Sequence, residues 1–211
     1  MYLKTANAYT KTEDALFYTG LSYGFLKNAD SAFVFLDECV KKNPKYPRIN
    51  YFKGLILSDV ADVTLDSSMR NKILVKSLIY FDKAILENPK DWETHVQSGY
   101  CYGKMNNFKK AIPALIKGTS LNPKNFQALL FIGIGFGMQQ KSDSALIYFE
   151  KAKQIEPTNV EVYKNIAITF KTKNNYKKAL ESIKEGLIYQ PSNEILIQLQ
   201  NEILAIQNSV K

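Results

Sequence analysis

Apolar and polar positions follow one another along this chain with helical periodicity. Between successive late prolines, each stretch holds two helical patterns parted by a short polar turn, "KMNN", "QQKS" or "KTKNN". Pro89, Pro123, Pro157 and Pro191 are spaced by 34, 34 and 34 residues. Each closes an apolar helical run: "KAILENP", "KGTSLNP", "KAKQIEP" and "EGLIYQP". A proline cannot continue the helix it follows and suits the start of the next, so a fixed proline spacing marks a fixed structural unit.

These residues resemble the tetratricopeptide repeat, whose pattern has a large residue at position 4, Leu-Gly-like residues at 7 and 8, an aromatic at 11, Ala at 20, a large apolar residue at 24, Ala at 27 and Pro at 32. Counted from Trp92, one unit has Gly99, Tyr102, Ala111, Leu115, Gly118 and Pro123 at positions 8, 11, 20, 24, 27 and 32. The next has Gly133, Phe136, Ala145, Phe149, Ala152 and Pro157, and the one after it Ala167, Phe170, Ala179, Ile183, Gly186 and Pro191. The segment from Glu13 fits with Gly20, Tyr23, Ala32, Leu36, Cys39 and Pro44. The resemblance implies an all-α fold, a right-handed superhelical solenoid of antiparallel helix pairs. Its expected organisation is an N-terminal extension at 1–12, five units at 13–46, 47–91, 92–125, 126–159 and 160–193, and a C-terminal capping helix at 194–211. A terminal helix of this kind gives the array a polar outer face.

The second unit keeps Gly54, Phe81, Ala84 and Pro89, but Pro44 and Pro89 lie 45 residues apart, eleven more than the repeat. Eleven residues make about three helical turns, so lengthened helices keep the packing face unrotated. Longer helices are expected, with Asp66 or Ser67 as N-cap of the second; a mobile loop is the alternative. The acidic trio Asp59, Asp62 and Asp66 lacks the spacing of a calcium loop and reads as helix-surface and capping residues.

The stretch "FIGIGFGMQQ" sets Gly133, Gly135 and Gly137 at alternate positions. A phosphate-cradling loop needs a strand running into it and a helix starting after it, and here no strand pattern precedes the glycines. They are expected inside a helix, with Gly133 at the close crossing of its partner.

Composition adds limits. The 211 residues are 45% hydrophobic, enough for a buried core. No apolar run approaches a membrane span, and "MYLKTANAYT" has no apolar signal region; the cytoplasm is the expectation if the chain is complete as given, with a removed leader left open. Cys39 and Cys101 have neither disulfide-framework nor CxxC spacing and read as buried thiols. The net charge of +8 gathers in 92–125 and 160–193, at helix ends and turns.

Candidate chemistry is sparse. The sole histidine, His95, occupies position 4, which in this repeat faces the partner helix, and no Ser/His/Asp, HExxH or Cys/His arrangement is present. No enzyme, cofactor or metal is expected, and function is assigned to a surface. In tetratricopeptide arrays positions 2, 5, 9 and 12 line a peptide-receiving groove. The resemblance therefore implies a non-catalytic scaffold that binds an amphipathic helix or apolar peptide. Positions 5 and 9 hold Phe17 and Leu21, Tyr51 and Leu55, Val96 and Tyr100, Leu130 and Ile134, Lys164 and Ile168, with Lys171 at a position 12. Tyr51, Tyr100 and Leu130 are the expected anchors. Packing between adjacent first helices is the alternative for some of these side chains. A bound segment is expected to place its acidic part near Lys164 and Lys171.

Other partners are weighed on the same residues. A chaperone-type carboxylate clamp needs Lys, Asn and Arg at groove positions that do not hold them here. Nucleic acid is disfavoured because the recurring groove positions are apolar rather than base-reading. Self-association remains a second reading: Ile195, Leu199, Ile203 and Ile206 are expected to pack on the preceding unit, leaving Ile197 and Leu204 exposed.

Overall fold

The computed structural model describes residues 12–209. The expected N-terminal extension lies outside the described residues, except that Thr12 caps the first helix by accepting from the Ala15 amide at 3.2 Å. Among the described residues there are eleven α-helices and no strand: α1 Glu13–Phe25, α2 Ala29–Lys42, α3 Ile49–Val63, α4 Ser67–Glu87, α5 Trp92–Lys104, α6 Phe108–Leu121, α7 Phe126–Met138, α8 Ser142–Ile155, α9 Val160–Thr172, α10 Tyr176–Tyr189 and α11 Glu194–Ser209. They fall into two compact units, Met1–Asn106 and Asn107–Lys211.

In the first unit α1 packs on α2, α3 on α4, and α4 on α5. The first two of these pairs close where a glycine meets a large side chain. A Cβ at Gly20 would stand 2.8 Å from Leu36, and one at Gly54 would stand 2.7 Å from the Phe81 ring. Leu36 and Phe81 are fully buried as a result. Tyr23 stacks on Phe35 beside the first of these crossings, with centroids 5.3 Å apart. Aromatic pairs of this kind add stabilisation beyond the area they bury.

In the second unit α7 packs on α8 and α9 on α10, with α11 against α10. The same devices recur: Gly133 against Phe149, and Phe136 stacked on Tyr148 at 5.5 Å. Position 4 adds another. His95 donates from Nε2 to the Pro89 carbonyl at 2.9 Å in the first unit, and Tyr163 donates to the Pro157 carbonyl at 2.7 Å in the second. A polar tip on an otherwise buried side chain thus ties α5 and α9 each to the proline turn before it.

The turns inside the pairs share one solution. Lys27, Asn106, Gln140 and Asn174 adopt left-handed backbone with φ of 56° to 60°. An asparagine follows most of them and caps the next helix: Asn28 accepts from the Ser31 amide, Asn107 from Lys110 and Asn175 from Lys178.

The insertion in the second pair is helical. The second helix α4 has 21 residues where α2, α8 and α10 have 14, and α3 runs to Val63, a full turn past the equivalent end of α1. Asp66 caps α4, accepting from the Met69 amide at 2.6 Å. Arg70 closes the turn by donating to the Thr64 carbonyl at 2.9 Å. The three acids of this region go to separate partners: Asp59 pairs with Lys27 at 2.9 Å, Asp62 with Lys104 at 2.7 Å, and Asp66 is the cap.

Sequence inspection overlooked Lys53, at position 7 of its unit, where the repeat calls for a Leu-like residue. It is 6% exposed, is ion-paired with Asp37, and lies 5.2 Å from the Phe33 ring centre and 5.5 Å from that of Tyr80.

Candidate functional site

The side chains expected in a groove come from the first helices α1, α3, α5, α7 and α9, and burial divides them into two rows. At position 5, Phe17, Tyr51, Val96 and Leu130 are buried, each exposing under a tenth of its surface. Phe17 meets Tyr46 and Phe52 at 5.0 and 5.2 Å between ring centres. The Arg48 guanidinium covers Tyr51 at 4.1 Å from the ring centre, and burial raises that phenol's pKa. These side chains therefore leave little surface for a ligand. At position 9, Leu21, Leu55, Tyr100 and Ile134 are half-buried and Ile168 is exposed. Burial pushes the Tyr100 phenol up to about 12.

The three late residues are drawn together. Lys164, Ile168 and Lys171 on α9 line one recess of about 590 Å³ with Ile195, Gln198, Glu202 and Ile206 of α11. Leu199, 8% exposed, closes the base of the recess against Ala167 and Ile203 of the core. One expectation needs correcting here. Ile195 does not pack away but is 57% exposed at the recess, while Leu196, 1% exposed, takes the packing role. The lysines have carboxylate partners: Lys171 bonds Glu202 at 2.7 Å and Lys164 pairs with Glu161.

The contribution of α11 was legible in principle. Counting positions 2, 5 and 9 onward from Glu194 selects Ile195, Gln198 and Glu202. Reading that helix solely as a cap hid it.

The glycines of α7 have separate explanations. A Cβ at Gly133 would run into the Phe149 ring, and one at Gly135 would crowd Ile112 at 3.1 Å. At Gly137 nothing lies within 4 Å, so packing leaves that glycine unexplained.

Chemistry beyond binding is thin. Among the described residues no group of three or more His, Cys, Asp or Glu side chains is placed to hold a metal ion, and no helix is long and apolar enough to cross a membrane. Both cysteines are buried and free, and burial raises their thiol pKa values.

Comparison with known proteins agrees with this architecture. No curated protein matches the sequence. Among solved structures, YrrB, described as a TPR protein with an unusual peptide-binding site, is 17% identical, with a TM-score of 0.71 over 94% of this chain and 96% of its own. MamA from Desulfovibrio magneticus RS-1 is 16% identical, with a TM-score of 0.74 over 89% of this chain and 99% of its own. A further MamA structure is 18% identical, with a TM-score of 0.68 over 86% and 93%. Proteins of this fold generally mediate protein–protein interaction and are generally non-catalytic scaffolds. Two tetratricopeptide repeat family models match directly, over residues 14–46 and 93–125. With those matches, the glycine-centred helix pairs and the proline-closed turns, the chain carries tetratricopeptide repeats at 14–46 and 93–125 within an all-helical repeat fold.

Proposed function

We propose that this chain is a non-catalytic interaction scaffold that holds an amphipathic helix or apolar peptide segment along its first helices, with the recess between α9 and α11 as the main seat. One observation carries this reading: Ile168 and Ile195, both exposed, face a recess whose rim holds Lys164, Lys171 and Glu202. An apolar floor with a charged rim suits a partner that buries a few aliphatic side chains and is oriented by polar contacts. The rim ion pairs are exposed and worth little individually, so an acidic ligand residue exchanges readily with Glu202 for Lys171. The peptide-binding site described for YrrB is a precedent within the same fold.

A peptide-library selection against the purified protein tests the proposal. Selected sequences should be apolar with an acidic residue, and should lose binding to an Ile168→Asp, Ile195→Asp variant that melts like the parent. Selection of basic, polar peptides, or binding indifferent to that variant, overturns it.

Self-association has its own observation. Ile197 and Leu204 of α11 are 37% and 41% exposed. Sedimentation showing a monomer at high concentration would remove this second reading.

A further inference from the structure

The longest helix opens with a long acid-free run, a pattern shared by α6 with Lys109, Lys110 and Lys117 but not by α8 and α10. From Ser67 to Phe81 there is no Asp or Glu, while Arg70, Lys72 and Lys76 fall in the same span and Lys83 follows. The second helices α8 and α10 mix signs, with Asp143 and Glu150 beside Lys151, and Glu181 and Glu185 beside Lys177 and Lys184. Lys72, Lys76 and Lys83 are spaced by four and seven residues, which puts them in one row on an α-helix. All three are exposed, and none makes an ion pair among the described residues. The other lysines on the helices of this unit behave differently in three cases: Lys53 is taken by Asp37, Lys104 by Asp62, and Lys27, in the turn after α1, by Asp59.

Apolar side chains flank the row. Met69, Val75 and Ile79 expose 52%, 46% and 51% of their surface. Beside them a groove of about 430 Å³ opens between α2 and α4, lined by Phe33, Leu57 and Tyr80 together with Asp30, Lys76, Ile79 and Lys83. A row of cations without carboxylate partners, with Lys83 resting over the Tyr80 ring at 5.3 Å, beside aliphatic side chains is the complement of an acidic amphipathic helix.

We propose that the outward face of α4 docks an acidic amphipathic helix of a partner protein, whose carboxylates meet Lys72, Lys76 and Lys83 and whose apolar side chains cover Met69, Val75 and Ile79. A carboxylate spacing of i, i+4 and i+11 on the partner matches the three lysines. The surroundings favour a single helix over an anionic bilayer. Asp30 and Glu38 on neighbouring α2, Asp66 at the turn and Asp82 on α4 are exposed, so a broad negative surface laid on α4 also meets these carboxylates. A helix roughly 10 Å across rests on the lysine row alone.

The probe is a synthetic helical peptide with Glu at i, i+4 and i+11 and Leu on the adjoining face, compared with its Lys counterpart and with phosphatidylserine-rich vesicles, read by fluorescence anisotropy. The Glu peptide should bind, the Lys peptide should not, and Lys72→Glu, Lys76→Glu, Lys83→Glu together should weaken binding about tenfold or more. Reversals at Lys109, Lys117 and Lys124 should leave it unchanged. If the triple reversal fails to fold, the triple Gln variant keeps the side-chain stems and should still weaken binding. The Ile168→Asp, Ile195→Asp variant should bind the Glu peptide as the parent does, which separates this surface from the recess on α11. Equal binding of both peptides, indifference to the Gln variant, or binding of vesicles in place of the peptide overturns the proposal.

Discussion

Gly133 lies so close to the Phe149 ring that a Cβ would overlap its Cδ1 and Cε1 atoms, whereas Gly137, one turn further along α7, faces open space. Helix propensity favours Ala over Gly by about 1 kcal/mol at both places. At Gly133 overpacking outweighs that gain, and Gly133→Ala should destabilise by roughly 1–3 kcal/mol. At Gly137 nothing opposes it, and Gly137→Ala should stabilise by a few tenths to about 1 kcal/mol. Urea denaturation of both variants reads the opposite signs, and a destabilised Gly137→Ala would show that this glycine serves internal packing after all.

Lys53 offers a second contrast. Its ammonium is buried while its partner Asp37 keeps 56% of its side chain in solvent. Lys53→Met removes a buried charge, fills a similar volume and leaves only a solvated carboxylate, so stability should be unchanged or rise by about 1–2 kcal/mol. Asp37→Ala instead strands the ammonium and should cost roughly 1–3 kcal/mol. Thermal melts in which Lys53→Met is the worse of the two would contradict this account.

Tyr163 donates to the Pro157 carbonyl at 2.7 Å. Tyr163→Phe keeps the ring and leaves the carbonyl without its donor, with an expected loss near 1 kcal/mol at neutral pH. An unchanged denaturation midpoint would mean that water replaces the hydroxyl at no cost.

Alkaline pH should weaken the fold through Tyr100 and Tyr163. Burial is the main cause that pushes each phenol up to about 12, against about 10 in an unfolded chain. A proton held by the folded but not the unfolded state stabilises the fold fully below about pH 10, and that contribution is lost as pH rises toward 12. Between those limits Tyr100→Phe should shallow the fall in stability by up to about 1.4 kcal/mol per pH unit. Identical alkaline slopes for parent and variant would remove Tyr100 from the explanation.

Glu202 holds Lys171 at 2.7 Å across the mouth of the recess. Glu202→Gln should leave stability within about 0.5 kcal/mol, because the pair is exposed. It should also strengthen binding of an acidic apolar peptide about two- to fivefold, chiefly through the on-rate. Weaker binding to this variant, measured by stopped-flow, would show that Glu202 itself contacts the ligand.

The resemblance to the tetratricopeptide repeat carried the reading to glycines at the helix crossings, while periodicity and proline spacing carried it to helix pairs, because each helix and turn depends on residues near one another in the chain. Asp66 could be named as a cap for the same reason. What lay beyond reach depends on partners distant in the chain. Phe17, Tyr51, Val96 and Leu130 share a helix face with residues that stay accessible, yet they are buried. A helical pattern reports which side chains share a face, and only the neighbouring helix decides whether that face is covered. Ile195 reads as apolar and therefore buried, but it is exposed because α11 turns Leu196, Leu199 and Ile203 toward the core instead. Lys171 meets Glu202 only because α11 brings it from 31 residues away. Lys53 reads as a breach of the repeat until Asp37, Phe33 and Tyr80, contributed by α2 and α4, surround it. Helices and caps are local consequences of sequence, while exposure, ion pairing and the shape of a recess arise only when separate helices meet.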